Sequence, residues 1–339
     1  MNSPRLKSRC TGIATFVLTT FMLWPGASLE AEDEKSPLPR ELPNEPMDVP
    51  SVQAVPVDAA IRISIDDAIK QKDFPGAENQ LVKLIEQNPN SPQLLAFLGR
   101  VLFLDQKYLN AAVAFKKAEK MGPLKEEDHF TLSMCFVVLN RKDWAKQELE
   151  KLMQAHMKNP RYPYWLARLD YDDMQYASAV EKLKKALELD PGLVKAYDNL
   201  GLSYEGLGQF DLAAKSYQKA NELNHQQTSK SAWVPLNYGT FLLNEGKLAE
   251  AEPLLREAAI YDPKLPQARF QLGLLLEKKK QYTPAIEELN AAITLDPTYP
   301  EPHYVLAKIF RTTGDLKSAE ASAKTFQNLK DRKQSKKSQ

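Results

Sequence analysis

One pattern of small and large apolar residues returns every 34 residues along most of this 339-residue chain. Each copy has a leucine followed by a small residue, then an aromatic or other large residue, then two alanines. Two copies are Leu200-Gly201, Phe210, Ala213, Ala220 and Leu272-Gly273, Tyr282, Ala285, Ala292. Apolar residues fall at helical spacing in two runs, so each copy is predicted to be a pair of helices. The small residues let the two helices approach closely, and prolines such as Pro191 and Pro263 end the second helix.

The pattern resembles the tetratricopeptide repeat, a 34-residue helix–turn–helix unit. In that register, eight units cover residues 58–333 and begin at Asp58, Pro92, Glu126, Pro160, Val194, Ala232, Pro266 and Pro300. The resemblance implies an all-α fold, a right-handed α-solenoid of about eight helix–turn–helix units. The fifth unit is four residues longer than the others, so a longer loop is expected near residues 225–231.

Two units depart from the pattern. In the first, Ser64 and Ile65 replace the Leu-Gly pair, so the second half of that unit carries the match. In the third, Lys142 stands where an aromatic residue is usual and Trp144 follows two residues later. The register of the third unit is therefore open by two residues.

The N-terminal residues are typical of a secretory signal peptide. Arg5, Lys7 and Arg9 precede an uncharged apolar run at 11–24, and small residues follow it. The run would rise about 21 Å as a helix, which is short for a bilayer core of about 30 Å. We expect cleavage after residue 27, or as late as 31, and a periplasmic or secreted protein. An uncleaved N-terminal membrane anchor is the alternative.

The segments on either side of the array have a different composition. Residues 28–57 are rich in proline and acidic residues and poor in aromatic ones, which predicts a disordered, semi-stiff tether. Proline recognition by a binding site is the alternative to a plain spacer. Residues 334–339 are predicted to be a disordered basic tail. Lys330, Arg332 and Lys333 lead into it and are assigned with it to solubility.

The charge balance is nearly neutral, with 45 Lys and Arg against 44 Asp and Glu. Such a balance provides no general attraction to nucleic acid. The four histidines have no short metal-ligand spacing, and no nucleotide-binding or hydrolase motif is present. We therefore predict a protein that is not an enzyme and that has no metal or other cofactor.

In the tetratricopeptide family, defined positions of each first helix line a concave groove that binds peptides or proteins. The resemblance places these partner-binding candidates there: Arg100, Tyr164, Trp165, Arg168, Tyr171, Asn199, Trp233, Asn237, Lys308 and Arg311. Phe270 and Tyr304 occupy equivalent positions. Aromatic and arginine side chains are common interface anchors, although rings such as that of Trp165 are equally compatible with the core. The side-chain amides of Asn199 and Asn237 could bind the backbone amides of a ligand.

These features predict an exported scaffold that binds a protein or peptide partner along the groove, with peripheral association with the cell envelope possible. The alternative is a structural or spacer component of an envelope assembly or secretion system, such as pilus or polysaccharide export. In that role, the ends or outer face of the array would make the contacts.

Overall fold

The computed structural model describes residues 58–335. The predicted signal peptide (1–27), the tether (28–57) and residues 336–339 of the tail lie outside the described residues, so their assignments stay predictions. Between residues 58 and 335 every regular element is a helix and no strand is present, which confirms the all-α prediction. No helix in this range is both long and apolar enough to cross a bilayer.

The chain forms two compact units, which divide between Met157 and Lys158. The described part of the first unit is a stack of helical hairpins. Its helices are α1 (Ala59–Lys70), α2 (Phe74–Gln87), α3 (Pro92–Leu104), α4 (Tyr108–Met121), α5 (Glu126–Val138) and α6 (Lys142–Ala155). Each helix contacts the next one, and α3 also contacts α5. This is the neighbour-to-neighbour packing of a repeat array.

The second unit continues the same construction with ten helices. They are α7 (Arg161–Asp172), α8 (Tyr176–Leu189), α9 (Val194–Gly206), α10 (Phe210–Gln226), α11 (Trp233–Asn244), α12 (Leu248–Tyr261), α13 (Pro266–Lys278), α14 (Tyr282–Leu295), α15 (Glu301–Thr313) and α16 (Leu316–Ser335). The first helices of successive hairpins also touch, from α7 through α15. The last helix, α16, runs 20 residues, against 14 for α12 and α14.

A glycine in the first helix of a hairpin lies against a large side chain of the second helix. A Cβ atom on Gly99 would come within 2.9 Å of the Phe115 ring, closer than side chains tolerate. The other pairs of this kind are Gly201 with Tyr217 (2.5 Å), Gly239 with Leu255 (2.8 Å) and Gly273 with Leu289 (2.8 Å). The repeated glycine is therefore a requirement of close helix packing.

Every hairpin turns through one residue with a left-handed backbone. These residues lie at the same position of each unit: Lys72, Gln106, Asn140, Met174, Gly208, Gly246, Lys280 and Gly314. Five of the eight are not glycine, so their φ angles near +60° carry a steric cost. Asn140 belongs to this series, which settles the register of the third unit. There the edge of Trp144 lies against Phe136, with ring centroids 5.4 Å apart.

The longer loop of the fifth unit is held by one buried amide. Helix α10 extends to Gln226, and the Asn224 side chain lies near its end with 1% exposure. The Nδ2 atom of Asn224 donates to the carbonyl of Ser231, and its Oδ1 accepts from the Ser231 amide, both at 2.9 Å. Two hydrogen bonds from one side chain thus hold the two ends of the longer loop together.

Candidate functional site

Arg100 is the one partner-binding candidate between residues 58 and 157, and its side chain already has partners within the fold. Its Nε lies 3.1 Å from Oδ1 of Asp128, and its guanidinium lies 5.2 Å from the centre of the Phe97 ring. Burial raises the pKa of Asp128, and the charge of Arg100 opposes that rise. Arg100 therefore compensates a buried carboxylate, whatever else its partly exposed side chain contacts.

The structure brings Tyr164, Trp165 and Arg168 together on α7, but all three side chains are buried. The guanidinium of Arg168 lies 5.8 Å from the centre of the Trp165 ring, and its Nη1 donates to the Tyr164 hydroxyl at 3.4 Å. Tyr171, one turn further along, is half-buried and lies against the ring of Tyr176. The three buried side chains can shape a neighbouring surface, but they present little area to a partner.

The two asparagines use their amides inside the fold. Nδ2 of Asn199 donates to the Lys195 carbonyl, and Nδ2 of Asn237 donates to Oδ2 of Asp198, each at 2.8 Å. Trp233 is half-buried at the start of α11. Each contact occupies one of the two N–H groups of its amide, and Asn199 is also buried, so little of this pair is presented to an incoming backbone.

Lys308 and Arg311 have exposed side chains one turn apart on α15, the helix that also carries the exposed Tyr304. Nζ of Lys308 lies 3.0 Å from Oε1 of Glu277, a buried carboxylate on α13. This ion pair links the first helices of two successive hairpins. Arg311 lies in the last turn of α15.

An open cavity of about 500 Å³ lies near these residues in sequence, between α13, α15 and α16. We call it the aromatic cradle; it is lined by Phe270, Leu274, Pro300, Glu301, Tyr304, Val305, Phe326, Lys330 and Lys333. The lining is mainly apolar, with charged residues among it. Its volume falls within the range of known ligand pockets.

Aromatic side chains form the walls of the cradle. The rings of Tyr304 and Phe326 lie 5.4 Å apart, and Phe270 contacts Tyr299 edge-on at 5.2 Å. Tyr304 is the most exposed of these rings, at 59%. Nζ of Lys330 lies 5.9 Å from the centre of the Phe326 ring. The cradle thus combines one exposed ring and two half-buried rings with a nearby positive charge.

Only part of this cradle could be predicted from the sequence. Phe270 and Tyr304 were predicted to face a groove, but Phe326 was not, and Lys330 and Lys333 were assigned with the basic tail. These three residues lie at spacings of four and three on α16, which is one face of a helix. That spacing is the signal that could have added them.

A side-chain cluster between residues 119 and 148 has the composition of a metal site, but its charges are already paired. Donor atoms of Glu119, His129 and Glu148 lie within 4.8 Å of one another. The ammonium of Lys116 contacts both carboxylates, and Lys151 adds a second contact to Glu148 at 3.1 Å. Because two lysines neutralise the two carboxylates, we interpret the cluster as an ion-pair network.

The buried thiol of Cys135 offers no chemistry either, since burial raises its pKa well above the usual range.

Comparison with known proteins agrees with this architecture. Family models of the tetratricopeptide repeat match residues 65–125, 194–226 and 242–309. A Drosophila melanogaster relative, the BBSome complex member BBS4 homolog, is 23% identical over 255 residues, which are 72% of this chain and 52% of that protein. This chain spans about half or less of the length of the first curated relatives that it matches.

Two solved structures share the fold. The Cut9–Hcn1 hetero-tetramer of APC/C matches with a TM-score of 0.59 at 16% identity, covering 70% of this chain and 47% of the other. Pseudomonas aeruginosa pilF matches with a TM-score of 0.53 at 20% identity, covering 64% of this chain and 97% of the other. Together with the family models, these likenesses support an all-α solenoid of tetratricopeptide repeats, a fold suited to protein–protein interaction.

Proposed function

We propose that this tetratricopeptide-repeat chain is an exported, non-catalytic scaffold that holds a protein or peptide partner, and that the aromatic cradle is a principal contact.

The exposure of the cradle is the observation that carries this proposal. Aromatic residues contribute much of the binding energy at protein interfaces. Tyr304 exposes 59% of its surface beside Phe326 and Phe270, and no described residue covers it. A partner that covers these rings would gain apolar burial of about 25 cal/mol per Å² before the costs of association.

The remaining predicted residues fit supporting roles. Arg311 and Lys308 are exposed on α15, the helix that carries Tyr304, and could add polar contacts at the rim. Tyr164, Trp165 and Arg168 are buried, so substituting them would test folding as much as binding. For this reason the cradle is the better place for a mutational test.

Export rests on residues 1–27 and is tested separately. The intact mass of the protein recovered from its native host should correspond to a chain beginning at residue 28, or as late as 32. A mass that includes residue 1 would favour the membrane-anchored alternative.

Partner binding is tested by affinity capture from the exported fraction, comparing two variants. Tyr304→Ala with Phe326→Ala should abolish capture of a partner that the unaltered chain retains, while the helical circular dichroism stays the same. Leu316→Ala is the matched control, since Leu316 is 67% exposed on α16 and lies outside the cradle. If the double variant still captures the partner, the cradle is not the contact, and a spacer that binds through other surfaces is favoured.

A further inference from the structure

We propose that the aromatic cradle binds an extended acidic peptide segment that has one apolar residue at its centre. The inference rests on the cradle as the binding site of the proposed function and names the class of partner. It follows from one side-chain pattern that α15 and α16 share.

On both helices an aromatic residue is followed by positively charged residues four and seven positions later. These residues are Tyr304, Lys308 and Arg311 on α15, and Phe326, Lys330 and Lys333 on α16. Positions separated by four and by seven residues lie on one face of a helix. Each ring is therefore followed by two cations along the same face of its own helix.

The two helices run in opposite directions and place these rings side by side, with centroids 5.4 Å apart. Lys330 and Lys333 line the same cavity as Pro300 and Glu301, so the end of α16 lies at the start of α15. The cations of α15 therefore extend from the pair of rings in one direction, and those of α16 extend in the opposite direction.

The spacing of the cations fits an extended peptide. Because a helix rises about 1.5 Å per residue, the nearer cation on each helix lies about 6 Å along the axis from its ring, and the farther one about 10 Å. An extended chain rises about 3.3 Å per residue. If an apolar side chain contacts the rings, the second and third residues on either side of it lie beside the cations. Acidic residues at these four positions would complete the contacts.

The charge of the site has the sign that such a peptide needs. Among the described residues, three of the four cations form no ion pair: Arg311, Lys330 and Lys333. Nζ of Lys308 lies 3.0 Å from Oε1 of Glu277, so part of its charge is compensated. Glu301 is the one carboxylate among the lining residues. The four cations and these two carboxylates leave a net charge of +2, which favours an acidic ligand.

A peptide fits these features better than a nucleic acid or an anionic bilayer does. The carboxylates of Glu277 and Glu301 would repel a continuous row of phosphates, and the whole chain has almost no excess of positive charge. The rings also lie in a concave cavity of about 500 Å³, which a flat bilayer surface would not fill.

The test is fluorescence anisotropy with the full chain and short synthetic peptides that carry the same label and an amidated C-terminus. The probe Asp-Asp-Gly-Phe-Gly-Asp-Asp has acidic residues two and three positions from its phenylalanine in both directions, so it fits in either polarity. Replacing each Asp by Asn should weaken binding by about tenfold or more. Replacing Phe by Ser should weaken it by about fivefold or more. Added salt should weaken binding of the acidic probe and have little effect on the Asn peptide.

Charge reversal in the chain provides the second readout. Lys330→Glu with Lys333→Glu should weaken binding of the acidic probe by about fivefold or more. The same variant should bind the mixed peptide Lys-Lys-Gly-Phe-Gly-Asp-Asp more tightly than the unaltered chain does. Lys317→Glu with Lys324→Glu makes the same change in charge on the opposite face of α16, outside the cradle. This control should change either affinity by no more than about twofold, since salt screens charges at that distance.

Equal affinity for the acidic and Asn peptides, or no binding of either, would overturn the inference. Tighter binding of an oligothymidine of the same length, or of vesicles of phosphatidylcholine and phosphatidylserine, would overturn it as well. Partner capture that still depends on Tyr304 and Phe326 would in that case leave the proposed function standing. Binding of the acidic probe that Tyr304→Ala with Phe326→Ala abolishes, while that variant still captures its partner, would do the reverse.

Discussion

The ring of Tyr217 lies so close to Gly201 that a Cβ atom on residue 201 would come within 2.5 Å of the ring atoms Cδ1 and Cε1. Tyr217 is fully buried, and its hydroxyl donates to Glu205 on the same helix as Gly201. The ring is therefore held in place by burial and by this hydrogen bond. This contact joins α9 and α10 and explains why a glycine recurs at this position of the repeat.

Replacing this glycine should separate the two helices. Gly201→Leu should lower the free energy of unfolding by about 1–3 kcal/mol, although leucine has the higher helix propensity. Urea denaturation measures the change. Gly122→Leu is the control, since a Cβ there would meet only Pro92, at 3.8 Å. Equal stabilities of the two variants would contradict the close packing of α9 and α10.

Glycine should be stabilising at a hairpin turn that lacks it. Lys280 has φ +59° and an exposed side chain, so Lys280→Gly removes steric strain without losing packing. We expect a gain of about 0.5–1 kcal/mol, since the greater entropy of glycine in the unfolded chain offsets part of the relief. Thermal unfolding of Lys280→Gly and of Lys278→Gly makes the comparison. Lys278 is the last residue of α13 and has no left-handed backbone to relieve, so glycine there should bring no gain in stability. A loss of stability in both variants would be the contrary result.

Removal of the Asn224 amide should open the longer loop. Asn224→Ala deletes both hydrogen bonds to Ser231 and leaves the amide and carbonyl of Ser231 without these partners. The expected loss in the free energy of unfolding is about 1–3 kcal/mol. Limited proteolysis should then cut residues 225–232 faster. Gln227→Ala alters an exposed side chain of the same loop and should have little effect on the cutting rate. An unchanged rate in Asn224→Ala would mean that other contacts hold the loop.

Glu252 should contribute a pH-dependent part of the stability. Hydrogen bonds from Lys279 and Arg256 hold the pKa of Glu252 below its ordinary value of 4.5. A carboxyl group with a lowered folded-state pKa stabilises the protein above pH 4.5, and this contribution disappears as the pH falls through the folded-state pKa.

Glu252→Gln should therefore be less stable than the unaltered chain at pH 7, with a difference that shrinks as the pH falls below 4.5. Urea denaturation over a pH series measures it. Glu250→Gln, at an exposed position of the same helix, should follow the unaltered chain throughout. A difference for Glu252→Gln that stayed constant with pH would exclude the ion pairs as its source.

The helical hairpins could be predicted because their requirements are local and repeat. The spacing between Gly201 and Tyr217 recurs in other hairpins of the array, and both helices and their turn fit within one 34-residue period. Where one copy departed from the pattern, the sequence left two registers open. The left-handed Asn140 and the contact of Trp144 with Phe136 decided between them, because both depend on how the chain turns in space.

The candidate site could be predicted only in part, because exposure depends on what covers a side chain. Trp165 and Tyr304 were both predicted to face a groove, yet the structure buries the first and exposes the second. Phe326 occupies the position at which the preceding unit has the small Ala292, and only the packing of α16 on α15 brings its ring to Tyr304.

The sequence by itself thus determined the helical repeat, since periodic spacing and small residues at fixed positions are properties of the chain alone. Only the tertiary structure decided which aromatic side chains remain open to a partner, since burial is set by neighbouring helices far away in the sequence.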